Sequence, residues 1–253
     1  MNNKLKLFFS LIVLFFIIYN INGKAKKKEI ILPENNYGID YDNPEKYINS
    51  GTQSTITDEE FEIIKTELNI DKIDLKTIKQ IHQWRRKNFK GVNAGGKTIG
   101  KNTINNILKT REVTGCHDDG LILVSLFRKF GVPAIFVDTA AIQWALDYPN
   151  TRGFFGHIFV EVFLDGKWIL FDSNSGEYIE NYNPLNPVIP ITKRGIESKG
   201  YYVMFKGLDP KDYSLTGNDN LQHIMKVYAI QLKREIDNLD FPDYIIKRIY
   251  DYK

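Results

Sequence analysis

The sequence of 253 residues contains a single cysteine, Cys116, so no disulfide can close within the chain. A lone thiol is a buried small hydrophobe, a bridge to another molecule or a reactive group, and its neighbours decide which. An excess of charge of one sign is also missing. Basic residues number 34 against 31 acidic, a net of +3, and four of the lysines (Lys24, Lys26, Lys27, Lys28) stand in one short run. The remainder is close to neutral, which gives no electrostatic case for nucleic acid as a partner. No D-x-[DN]-x-[DN]-G loop occurs, so no calcium loop of that type is legible. No internal repeat is present. Nothing in the sequence calls for a cofactor or a metal, and it does not determine the oligomeric state. At 43% hydrophobic residues the chain is neither disordered nor fibrous, and it can bury one sizeable core with a smaller appended part.

A long apolar run is absent too. The start, MNNKLKLFFSLIVLFFIIYNINGKAKKK, has two lysines, an apolar run from Leu7 to Tyr19, and small residues at Gly23 and Ala25. This is the layout of a secretory signal, with Gly23-Lys24-Ala25 fitting the small-x-small cleavage rule. An uncleaved anchor over residues 7–21 competes with it, although the run is short beside the ~20 residues of a membrane span. Residues 1–25 are therefore expected to be a signal peptide or membrane anchor, and the rest to be exported: periplasmic, extracellular or membrane-anchored.

Residues 26–55 are charged and Asn-rich without a sustained period, and are expected to form a linker or irregular arm. Thr57-x-x-Glu60 is a capping box, followed by Phe61, Ile64 and Leu68 at helical spacing. A second helix is expected from Asp74 to about Phe89, and a short one around Thr103 to Leu108. After Cys116, the apolar segment DDGLILVSLFRKFGVP has acids first, a basic pair last and a Gly131-Val132-Pro133 stop, which predicts a helix. Ala134 to Asp138 reads as a short strand. HIFVEVFL and KWILFD flank Asp165-Gly166 and predict a hairpin. The tail from Asn220 repeats apolar residues on one helical face, and another helix is expected from Pro242. The order argues an α+β fold, with residues 56–200 as the core and 201–253 as a helical extension packed on it.

Gly91 to Thr98, GVNAGGKT, satisfies the phosphate-loop pattern at Gly91, Gly96, Lys97 and Thr98. The pattern requires a buried strand before it and a helix after it. The preceding residues, IKQIHQWRRKNFK, carry their charges at helical spacing, so a P-loop NTPase is a remote alternative. A glycine-rich loop between two helices, near the rim of the Cys116 site, is the expectation.

Thr114-Gly115-Cys116-His117-Asp118-Asp119 places the thiol at a helix start, where unpaired N–H groups and the positive end of the helix dipole favour a thiolate. If Asp165 and Gly166 are the two hairpin loop residues, Leu164 opposes Lys167. His157 and Asp172 are then diagonal neighbours on one face, roughly 7–8 Å apart at Cβ. That face also carries Phe159, Glu161, Phe163, Trp168 and Leu170 and is expected to pack on a helix. Cysteine, histidine and aspartate together make the thiol acyl-transfer set. His117 is expected to point away from the thiol, and His82 and His223 to lie at the surface or its boundary. Consecutive residues at a helix start cannot readily converge on a metal.

G-C-x-D before an apolar helix, then G-V-P-A, H-x-x-x-E-V, G-x-W and a final D resemble the transglutaminase-like superfamily of papain-like thiol enzymes. The resemblance covers Thr114 to Tyr178, and Ile78 to Phe89 loosely. It implies a catalytic helix packed on an antiparallel sheet, with Cys116 as nucleophile, His157 as base and Asp172 as orienting acid. It also implies supporting places for Glu161 and Trp168 and, through a family position, for Asp118 at the helix start. Trp84 lies where some members supply an indole N–H, although a core role on the second helix is the plainer reading. The sequence departs from the family at Phe159, often tryptophan, and at Gly120, often alanine. The implied activity is thiol-dependent acyl transfer on peptide or glutamine-type amides, by a hydrolase or an acyltransferase. A catalytically silent binding module in a cell-envelope assembly is the alternative.

Overall fold

The computed structural model describes residues 37–252 apart from Gly95 and Arg152. The expected signal or anchor and the first part of the expected arm lie outside the described residues. No helix among the described residues is long and apolar enough to cross a membrane.

The helices begin where capping chemistry places them. In α1 (Asp58–Leu68) the Thr57 side chain accepts from the Glu60 N–H and donates to the Glu60 carboxylate. In α2 (Leu75–Asn88), Asp74 and Thr77 form a reciprocal box, which satisfies N–H groups the helix cannot pair internally. A two-residue strand, β1 (Lys90–Gly91), follows, then α3 (Ile104–Thr110), β2 (Glu112–Val113) and α4 (Cys116–Lys129). Every residue of α4 from His117 to Arg128 is buried. Such a helix is enclosed on all sides, so its polar residues need partners. Arg128 donates to the Ala134 carbonyl and to Ser54 Oγ and faces Asp209. Gly131, at φ +77°, ends the helix in the left-handed conformation that glycine adopts at least cost.

β3 (Ala134–Ala141) leads into a short helix, α5 (Ile142–Asp147), and then the hairpin β4 (Gly156–Leu164) and β5 (Lys167–Asp172). Asp165 and Gly166 both have positive φ, as a two-residue hairpin turn of matching twist requires. Leu164 opposes Lys167 and Phe159 opposes Asp172, the register read from the sequence. β6 (Glu177–Ile179), β7 (Val188–Ile189), β8 (Tyr201–Gly207), α6 (Asn218–Glu235) and β9 (Ile246–Arg248) complete the described chain. The fold is α+β: one antiparallel sheet of seven strands in the order β7-β8-β3-β4-β5-β6-β9, with helices packed on it.

Three expectations are corrected. The tail is not a helical extension, because β8 pairs with β3 inside the sheet and residues 246–248 form edge strand β9 instead of a helix after Pro242. The helix expected from Asn220 is present as α6, which buries Met225, Tyr228, Ala229 and Leu232. The described part of the arm is ordered: Ile39, Tyr47, Gln53 and Ser54 are buried. The Gln53 side chain donates from Nε2 to the Asn102 carbonyl at 2.7 Å and accepts from the Lys211 N–H at 3.0 Å, which explains a polar residue in the interior. Helix α4 packs on the face of Ile158 and Val160, opposite the one assigned to it. The His157 face is covered instead by Tyr201 and, further along, by Tyr41 and Tyr47 against Trp168.

Candidate active site

Cys116 is the first residue of α4 and is partly exposed. The helix start is fixed by Asp118, whose carboxylate accepts from the Thr114 N–H and hydroxyl at 2.7 Å each and from Asn102 Nδ2 at 3.0 Å. Asp118 therefore has the structural place expected of it. Thr98 of the glycine-rich loop touches the Thr114 hydroxyl at 2.5 Å, which puts that loop two residues from the thiol in sequence. The nucleotide reading has no support: only α2 and the exposed two-residue strand β1 precede the loop, and the residues from Gly96 to Lys101 are turns, with α3 starting only at Ile104.

β4 pairs with β5 only from Phe159 inward, because β5 stops at Asp172. At that opening His157 Nε2 lies 2.7 Å from Asp172 Oδ1. The Cys116 thiol and His157 lie close enough to shift each other's ionisation, and with Nε2 on the carboxylate the nitrogen left to face the sulfur is Nδ1. Asp172 is held in turn by the N–H groups of Asn174 (2.8 Å) and Ser175 (3.1 Å) and by the Ser175 hydroxyl (2.8 Å). The turn sequence Asp-Ser-Asn-Ser-Gly is the local signal for this arrangement, an aspartate bonding the backbone two residues on.

These contacts set the charges. Burial raises the Cys116 pKa, but His117 and His157 beside it outweigh this and bring it down to about 6. Burial lowers the His157 pKa, and the Asp172 hydrogen bond reverses this, raising it to about 9. Burial also works against ionised Asp172, yet the His157 contact holds its carboxyl well below the usual range. Around neutral pH the site is a thiolate facing an imidazolium.

Residues 65–173 match the family model of the transglutaminase-like superfamily, a span that contains all three residues. Over those residues the chain is similar to that superfamily. One solved structure, "a Putative Cysteine Protease from Cytophaga hutchinsonii", is similar at 17% identity with a TM-score of 0.47, over 72% of this chain and 53% of that one. This chain thus spans about half the length of that protein. No curated protein matches it.

The other candidate residues lie away from the thiol. Trp84 gives its indole N–H to Glu67 Oε2 at 2.8 Å and packs on Phe89, so it is a core residue of α2. Trp168 packs against Tyr41, Tyr47 and Phe163. Glu161 forms a fully buried pair with Lys206 at 2.6 Å and accepts from Tyr41 (2.9 Å) and Tyr182 (2.8 Å). Both residues tie the 37–47 segment to the sheet.

Two histidines behave differently from the sequence reading. His82 is buried, with Nδ1 at 2.6 Å from the Tyr250 hydroxyl and Nε2 at 3.1 Å from the Ser173 carbonyl, so it supports the turn after Asp172. His223 is exposed. His117 is buried and turned toward the thiol, with Nε2 3.0 Å from Asp138 Oδ2. Its partner lies on β3, and no local pattern signals a contact between residues 21 positions apart. Asp119 was equally unmarked; it pairs with Arg85 and accepts from Asn174 at 3.3 Å, joining α2, α4 and the Asp172 turn. No group of His, Cys, Asp and Glu suited to a metal occurs among the described residues.

Proposed function

We propose that the protein is a thiol-dependent acyl-transfer enzyme acting on peptide or glutamine-type amides, with Cys116 as nucleophile, His157 as acid–base and Asp172 as the residue that orients it. The observation that carries this reading is a partly exposed thiol at a helix start, close to an imidazole whose Nε2 sits 2.7 Å from a buried carboxylate. The Cys116 sulfur attacks the amide carbonyl carbon. The oxygen gathers negative charge at the start of α4, where first-turn N–H groups have no partner inside the helix. His157 gives its proton to the departing amine, leaving a thioester on Cys116. It then removes a proton from the incoming water or amine, and the C–S bond breaks. Water makes the enzyme a hydrolase, and an amine makes it a cross-linking acyltransferase. The amide class is supported by the superfamily of residues 65–173. The apolar run and cleavage pattern of residues 1–25 support an exported or membrane-tethered location.

Cys116 is the only cysteine, so iodoacetamide reports on it alone. Alkylation at neutral pH much faster than that of an ordinary exposed thiol is expected, with turnover of a glutamine-containing peptide library abolished by Cys116→Ala. A thiol that reacts at the ordinary rate would leave the protein as a silent binding module.

A further inference from the structure

The thiol faces two histidine–carboxylate pairs, and acyl transfer by Cys116, His157 and Asp172 uses only one. His117 Nε2 is 3.0 Å from Asp138 Oδ2, both side chains are buried, and the imidazole follows Cys116 directly on α4, close enough for the two to shift each other's ionisation. An ionised carboxylate only accepts, so Nε2 carries a proton. Nδ1 is the nitrogen left for sulfur, the same arrangement as in His157. Asp138 is held on β3 beside the one register shift of the β3–β8 pairing, between Asp138 and Thr139. Irregularities of this kind re-aim side chains next to sites. The Phe136 ring lies 5.8 Å from the imidazole and Tyr213 Oη is 3.4 Å from the carboxylate, which limits the freedom of both.

We propose that His117, oriented by Asp138, is a second imidazolium beside Cys116, which keeps the sulfur ionised in the free enzyme independently of the proton on His157. The inference rests on Cys116 being the nucleophile of the proposed reaction. In a site with one histidine, the same group must stabilise the thiolate and supply the proton to the leaving amine. When water attacks the thioester, that histidine is neutral and takes its proton, so it is an imidazolium again when the C–S bond breaks with its electron pair staying on sulfur. His117 adds a second cation on the other side of the sulfur, and no proton has to leave it at any stage. The reaction balances as thioester plus water to carboxylic acid and thiol form, with His157 carrying the transferred proton.

Other groups near the thiol do not take this place. On α4, Asp118 is occupied by Thr114 and Asn102, and Asp119 by Arg85 and Asn174. From β8, Tyr201 stacks against His157 and gives its hydroxyl to Glu197, with Lys193 over its outer ring face. Asp172 of β5 is committed to His157. A purely structural His117–Asp138 tie between α4 and β3 would leave the thiol's titration unaffected, and this separates the two roles.

The test is the pH profile of iodoacetamide alkylation in the full chain, followed on Cys116 by mass spectrometry, for wild type, His157→Ala, His117→Asn and the double variant, each checked for fold by circular dichroism. The wild-type midpoint is expected well below the ~8.5 of an ordinary thiol. His157→Ala is expected to keep its midpoint at least about one pH unit below ~8.5, and the double variant to reach it. If the double variant does not fold, Asp138→Asn combined with His157→Ala takes its place, with the same upward shift expected. A His157→Ala profile already at the ordinary-thiol midpoint, with an activated wild type, overturns the role of His117 and leaves the proposed reaction standing. An ordinary midpoint in wild type overturns both.

Discussion

At the residue scale, the chemistry of the site depends on three side chains whose ionisation states depend on one another. Lowering of the thiol pKa to about 6 means the thiolate is lost as pH falls through that value. Raising of the His157 pKa to about 9 means the imidazolium is lost as pH rises through it. The productive pair therefore exists between the two, and kcat/KM for an amide substrate is expected to be flat from about pH 6 to about pH 9 and to fall on both sides. A single limb near ~8.5, the midpoint of an unassisted thiol, would contradict it. The identity of Cys116 as the residue to examine was legible from its neighbours, and so was the His157–Asp172 diagonal, because a two-residue loop leaves no freedom in the register. The turn of His117 toward the thiol was not legible. Its partner Asp138 lies 21 residues away, and which faces meet is set by how α4 seats on the sheet.

At the element scale, α4 seats unusually close to the strands. A Cβ added at Gly120 would lie 2.6 Å from Ile158 Cγ2 and 2.7 Å from the Phe136 ring, so a glycine is required here by the contact. An alanine in a helix ordinarily gains about 1 kcal/mol over glycine. Here overpacking should exceed that gain, because both neighbours are themselves fully buried. Gly120→Ala is expected to lose about 1–3 kcal/mol, read as a lower denaturant midpoint with unchanged slope. A higher midpoint would mean that the helix has room to move away. The helix boundaries were readable because caps are local: Thr57, Asp74 and Thr103 each accept a first-turn N–H of their helix. The fate of residues 201–207 and 246–248 was not readable, since strand pairing is decided by which edge is open.

At the scale of the whole molecule, the segment from Tyr37 to Tyr47 is part of the core and no linker. The Lys206 side chain on β8 is fully buried, pairs with Glu161 on β4, and donates to Tyr41 Oη at 2.8 Å and the Pro184 carbonyl at 2.7 Å. The Tyr37, Tyr41 and Tyr182 rings surround its ammonium at 5.3, 5.3 and 5.7 Å. Burial pulls the Lys206 pKa down and Glu161 opposes this. Removing one member of a buried pair strands the other, at a cost of about 3–5 kcal/mol. Lys206→Met is expected to show a loss of that order in chemical denaturation, and adding Glu161→Gln to recover part of it. Losses that simply add would show that the two side chains are energetically independent.

The sequence by itself determined the local elements: the caps, the Asp165-Gly166 turn with its register, the α+β order, and a cysteine placed at the start of a buried helix. Each of these depends on residues within a few positions of one another, where backbone sterics and hydrogen bonding leave few choices. Only the tertiary structure decided that β8 enters the sheet beside β3, that the 37–47 segment closes one face of it, and that a second histidine–carboxylate pair reaches the thiol. Those contacts join residues far apart in the chain, and they form because buried charges and polar groups must find partners wherever the packing of the sheet brings them.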